Sequence, residues 1–162
     1  MDHITFRPLL PKEYPLLRAF LYQAVFVPEG EKAPPRDIVD LPELKIYTED
    51  FGTHPGDLNL AVAKEGQIIE VVWCRLMRDF GYYQDDMPSL AMAVVKEWRG
   101  RGIGSHLLKQ FCQQAGACSF SALSLSVQKL NPAVRLCRRA GFQVVRENKD
   151  DLIMLCHLEH KQ

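Results

Sequence analysis

The sequence predicts an α+β fold: a central, twisted, mixed sheet of six to seven mostly antiparallel strands, flanked by helices. Three observations predict it. Leu58–Lys64 and Gln67–Leu76 are apolar runs separated only by Glu65-Gly66, which reads as an antiparallel hairpin. Ser89–Val95 and Ala122–Val127 are apolar runs joined by a segment of helical periodicity, so they form a parallel pair with a right-handed crossover. Gln143–Arg146 and Leu152–His157 flank the polar Asn148-Lys149-Asp150-Asp151 and form a second antiparallel pair.

In chain order, Ile4, Phe6 and Pro8 begin an alternating strand, and the segment after Pro11 carries Leu16, Leu17, Phe20, Leu21, Ala24 and Val25 at helical spacing. Residues 28–42 are rich in proline and charge (Pro28, Glu29, Gly30, Glu31, Pro34, Pro35), a composition that blocks regular structure and suits a surface loop able to cover a site. A second helix is expected over Pro42–Phe51, ahead of the hairpin. Ile103, Leu107, Leu108, Phe111, Cys112 and Ala115 share one face of a helix from Ile103 to Ala115. A short helix over Pro132–Ala140 is stopped by Gly141. There is no repeat, low-complexity tract or linker, so residues 1–162 read as one domain.

Composition narrows the classes of function. Lys plus Arg equals Asp plus Glu at 20 each, which removes the basic field that draws proteins to nucleic acid or anionic membranes. The N-terminus has no basic segment followed by an apolar one, and the longest apolar runs, such as Leu90–Val95, are far below spanning length, so a cytoplasmic protein is expected. The five cysteines, Cys74, Cys112, Cys118, Cys137 and Cys156, are scattered among apolar residues and suit thiols of a reducing compartment. Only Cys112 and Cys118 lie close together, without a second pair to complete a tetrahedron, so no metal site is expected.

The chemistry concentrates in Arg99-Gly100-Arg101-Gly102-Ile103-Gly104-Ser105, between a strand and the start of a helix. Glycines let the backbone curl there and present N–H groups at the positive end of the helix, and two arginines add charge-assisted donors that suit a pyrophosphate. A dinucleotide fingerprint is disfavoured: counting from Gly100 the sixth position is Ser105, and residues 116–129 hold no acid for a ribose. A P-loop fails because no Gly-Lys-Ser or Gly-Lys-Thr follows the glycines.

Arg99, Gly102 and Gly104 resemble the coenzyme turn of the GNAT superfamily of acyl-CoA N-acyltransferases. A second block of that family is matched by Leu123-Ser124-Leu125-Ser126-Val127, then Asn131-Pro132-Ala133-Val134-Arg135-Leu136, then Gly141-Phe142. The resemblance is sharp over residues 89–142 and elsewhere extends to the order of elements. It implies acetyl-CoA as co-substrate, with residues 99–105 on its pyrophosphate and backbone groups of Val94 and Val95 on its acetyl carbonyl and pantetheine. It also implies that Asn131 touches the coenzyme arm in addition to capping the helix opened by Pro132, and that Arg135, Arg138 and Arg139 meet coenzyme phosphate unless simply solvated.

Many relatives carry a tyrosine where this sequence has Cys137, so the resemblance leaves either this thiol or a water to protonate the departing coenzyme thiolate; a buried core cysteine is the alternative. The acceptor ammonium must lose a proton before attack. Glu97 is the first candidate base, followed by Glu29, Glu31, Asp85 and Asp86. Tyr82, Tyr83, Asp85 and Asp86 mix aromatics with acids and are candidates for receiving a cationic amine. The expected activity is direct acetyl transfer to a primary amine of a small molecule or peptide, the former favoured. A non-catalytic acyl-CoA sensor or a nucleotide-phosphate binding domain are the alternatives, and a homodimer is compatible with the fold.

Overall fold

The computed structural model describes residues 3–159. Seven strands form one sheet: β1 (Ile4–Arg7), β2 (Leu58–Lys64), β3 (Gln67–Arg75), β4 (Ser89–Val94), β5 (Ala122–Gln128), β6 (Gln143–Glu147) and β7 (Asp151–His157). Their spatial order is β1-β2-β3-β4-β5-β7-β6. All neighbours are antiparallel except β4 and β5. The β2–β3 hairpin turns through Glu65 (φ 51°) and Gly66 (φ 83°), the two left-handed residues that a tight hairpin turn needs.

Four helices cover the sheet: α1 (Leu16–Ala24), α2 (Pro42–Lys45), α3 (Ile103–Ala117) and α4 (Ala133–Arg139). On one face, Leu107, Leu108 and Phe111 of α3 and Cys137 of α4 pack on Val62, Val72, Leu90, Leu125 and Met154. On the other, Leu17, Phe20 and Leu21 of α1 pack with Tyr47 and Phe51 on Val71, Trp73 and Ala93.

One feature departs from the sequence expectations. The helix expected over Pro42–Phe51 is a single turn, and Tyr47 and Phe51 are held instead by irregular chain fastened to Arg75. The closing pair is inserted with β7 beside β5, leaving β6 at the edge. Burial explains the order: Leu152–Cys156 is a continuous apolar run with both faces covered, whereas Gln143, Arg146 and Glu147 keep β6 half solvated.

One departure from regular pairing creates the functional space. β4 and β5 are registered only at Ser89 and Ser124, where the Ser124 N–H donates to the Pro88 carbonyl at 3.0 Å. Beyond that point they lie side by side in sequence order without bonding, and the sheet opens.

Candidate active site

After β4 the chain makes one 3-10 turn, Lys96–Trp98, then curls through Gly100 (φ 75°) and Gly102 (φ 79°) into α3. Both glycines face open space and occupy the left-handed region that side chains disfavour. No side chain caps α3, so its first N–H groups are free to take an anion. They open onto a cavity of about 920 Å³ whose lining includes Lys96, Arg99, Arg101 and Arg139. Arg101 lies 4.3 Å above the Trp98 ring and Lys64 4.5 Å from it, so the indole carries two cations at the cavity edge. Arg99 reaches the Val94 carbonyl at 3.4 Å and the Gln23 carbonyl at 3.3 Å, tying the turn to the end of α1.

Glu70 of β3 is the one acid among the described residues lining this cavity, and sequence reasoning missed it. It is buried, and desolvation pushes its carboxyl up to about 7. A side chain at position 104 would put its Cβ 2.9 Å from Glu70 Oε1 and 2.9 Å from Leu136 Cδ1, so a Cβ there displaces the ends of both side chains.

The open strand gap supplies backbone groups. Val95 N–H donates to Ile69 O of β3 at 2.9 Å, and its carbonyl accepts Trp98 N–H at 2.9 Å. The Val95 N–H is thus spent within the sheet, which leaves a ligand only the second lone pair of its carbonyl. Successive residues of a strand direct their peptide groups to opposite sides, so Val94 and Met92 turn theirs toward the gap. Met92, absent from the sequence-based candidates, lines this cavity and the next one.

A second cavity, of about 510 Å³, adjoins the first and shares Val25, Met92, Asn131 and Ala133 with it. Its walls include Leu108 and Cys137 from the α3–α4 face and Leu21, Leu44 and Tyr47 from the α1–α2 face. A single space walled from both faces means that the sheet is perforated between β4 and β5. Asn131 Oδ1 accepts the Ala133 N–H at 2.9 Å, capping α4, while the residue also lines both cavities. The Cys137 thiol is buried at the gap with its pKa pushed up to about 11 by desolvation, so it holds its proton at neutral pH and is no thiolate nucleophile.

The proline-rich segment is pinned rather than loose: Tyr22 Oη donates to the Pro34 carbonyl at 2.5 Å, Arg36 lies 5.4 Å over the Tyr22 ring, and Arg18 pairs with Asp40 at 2.6 Å. Ala33 and Pro34 wall the first cavity.

On the α1–α2 side the second cavity is bounded by Phe26, Tyr47 and Phe80. Behind them Asp79 Oδ2 accepts the Ser89 hydroxyl at 2.7 Å, and the Tyr47 phenol lies against the same carboxyl. Burial raises both groups above their ordinary pKa values. A Cβ at Gly81 would lie 2.5 Å from Ser89 Oγ and 2.9 Å from Ser126 N, so only glycine lets this loop dock on the sheet.

The remaining predicted residues lie apart from these cavities. Glu97 is exposed on the 3-10 turn and lines neither. Asp85 is spent on Arg78 (2.9 Å) and the Tyr82 hydroxyl (2.7 Å), Asp86 is exposed, and Tyr83 packs on Met87, Ala122 and Leu155. The loop thus contributes Asp79 and Phe80 to the site side, while its Tyr82, Tyr83, Asp85 and Asp86 form a surface cluster. Arg135 and Arg138 line neither cavity; Arg139 does. Among the described residues no three His, Cys, Asp or Glu side chains gather as metal ligands, and no helix is long and apolar enough to cross a membrane.

Solved structures share this fold. A GNAT-family acetyltransferase from Streptococcus pneumoniae superposes with a TM-score of 0.68 at 20% identity, covering 97% of this chain and 100% of its own. The ribosomal-protein-S18-alanine N-acetyltransferase from Escherichia coli gives 0.68 at 17%, covering 99% and 97%. The PaiA N-acetyltransferase from Thermoplasma acidophilum, solved in complex with coenzyme A, gives 0.70 at 14%, covering 96% and 99%. No curated protein sequence matches significantly. The sequence model of the acetyltransferase (GNAT) family matches residues 21–142, three quarters of the chain, and with the opened sheet and glycine turn in place this chain belongs to the GNAT family of acetyltransferases.

Proposed function

We propose that the protein is an N-acetyltransferase that moves an acetyl group from acetyl-CoA to a primary amine, by direct transfer while both are bound. The observation that carries this reading is the perforated sheet: a basic, glycine-lined cavity at the start of α3 runs into a gap that opens on the opposite face. Residues 99–105 with Arg139 hold the pyrophosphate, and the pantetheine follows β4. The Val94 N–H meets the acetyl carbonyl, where a fixed donor stabilises developing negative charge, and the Met92 N–H lies two residues further along the gap. The family, and a relative solved with coenzyme A, support this assignment.

The acceptor enters from the α1–α2 face. Its walls are apolar, and the pinned 28–42 segment narrows the approach, which favours a small amine over a folded protein. Cys137, protonated and at the gap, returns a proton to the departing thiolate. A thiol-release assay with acetyl-CoA over primary amines tests the reading: amine-dependent release supports it, and binding of acetyl-CoA without release from any small amine or peptide contradicts it.

A further inference from the structure

We propose that Tyr47 and Asp79 form the proton relay that deprotonates the acceptor, and that the acceptor is a primary amine on a compact apolar body. This rests on the acetyltransferase reading above. Tyr47 reaches the cavity, while Asp79 sits behind it and is held by Ser89 at 2.7 Å. The Tyr47 phenol lies against the Asp79 carboxyl and beside the Phe80 backbone N–H. Among the described residues, Asp79 Oδ1 is the single buried side-chain oxygen or nitrogen without a hydrogen-bond partner. A buried carboxylate oxygen left unmatched is costly unless it serves a purpose. No lysine or arginine among the described residues pairs with Asp79; the nearby Arg78 is taken by Asp85.

Proton and electron balance close on these groups. The ammonium gives a proton to the Tyr47 oxygen as the phenol passes its own to Asp79. The freed nitrogen lone pair forms the C–N bond, and the C–S electron pair leaves on sulfur. The Cys137 thiol protonates that sulfur and is itself reprotonated by the second nitrogen proton, and Asp79 returns its proton to solvent after product leaves. Leu44, Phe26 and the half-exposed Phe80 supply the apolar walls around the ammonium. Asp150 and Asp151 line the far end, but Asp151 is engaged by Ser126 at 2.8 Å and Asp150 is exposed.

Phenethylamine is the probe. With acetyl-CoA, the wild type is expected to release thiol at a rate that levels off above the apparent pKa of the relay. Asp79→Asn, which still accepts the Ser89 hydroxyl, and Tyr47→Phe are expected to lose about 100-fold in kcat/KM for the amine. In Asp79→Asn the plateau is replaced by a rise of about tenfold per pH unit, the free-amine fraction alone. Both variants should bind acetyl-CoA calorimetrically as the wild type does, which reports a folded coenzyme site. Wild-type rates and pH profile in Asp79→Asn would overturn the relay. So would loss of the plateau in Glu97→Gln or Asp150→Asn instead. A wild type that binds acetyl-CoA yet ignores phenethylamine would overturn the acceptor assignment, whereas one that fails to bind acetyl-CoA would sink the underlying function itself.

Discussion

Trp73 Nε1 donates a hydrogen bond to the Tyr47 carbonyl at 2.9 Å, from the C-terminal half of β3 to the irregular chain that carries the Tyr47 phenol. Trp73 is fully buried, so this bond fixes an otherwise helix-free segment to the sheet. Trp73→Phe leaves the Tyr47 carbonyl without its donor and is expected to cost about 1–3 kcal/mol. Urea unfolding checks it. The loss should be accompanied by a lower kcat with little change in acetyl-CoA affinity, because the coenzyme turn lies on another element.

Arg75 does the same work with charge. Its guanidinium is buried, bonds both oxygens of Asp57 (2.9 and 3.3 Å), the carbonyls of Ile46 and Glu49, and His54 Nδ1. Arg75→Leu strands the buried Asp57 carboxylate and three further acceptors. The expected loss is about 3–5 kcal/mol, read as a lower denaturation midpoint.

Glu70 makes stability depend on pH in a direction opposite to that of a salt-bridged carboxylate. Its folded pKa is about 7, against about 4.3 for an unfolded glutamate. Between those values the folded state keeps a proton that the unfolded state has lost, so stability falls as pH rises through the window and is flat above it. The span is about 4 kcal/mol. Wild type should be more stable at pH 5 than at pH 8 by an amount that Glu70→Gln removes, and the variant should be the more stable at pH 8.

Gly102 enters α3 at φ 79° with open space around it. Gly102→Ala meets no steric neighbour, so its cost is the left-handed backbone alone, about 1–2 kcal/mol. If the turn holds the pyrophosphate, relaxing away from that conformation weakens acetyl-CoA binding by about tenfold, which calorimetry reads directly.

The seven strands and the glycine turn ahead of α3 were legible because each rests on local signals: alternation, a Glu65-Gly66 hairpin, and glycines before a helical period. The inserted position of β7 was written in the uninterrupted Leu152–Cys156 run, which needs cover on both sides. Glu70, Met92, Tyr47 and Asp79 were not legible as site residues. Glu70 interrupts an apolar strand and that anomaly was the available signal, but its role depends on Gly104 of a distant helix coming against it. Tyr47 and Asp79 lie 32 positions apart and meet only through the folded sheet. Tyr82, Tyr83, Asp85 and Asp86 attracted attention through composition, yet satisfy one another or the neighbouring surface.

The most direct test of the account is calorimetric titration of the purified protein with acetyl-CoA, in wild type and in a double Arg99→Ala, Arg101→Ala variant. The wild type is expected to bind at one site per chain, with affinity weakened at least tenfold when both guanidinium groups are removed. Absence of binding in the wild type, or equal affinity in the variant, would contradict the assignment of the Arg99–Ser105 turn as the coenzyme cradle.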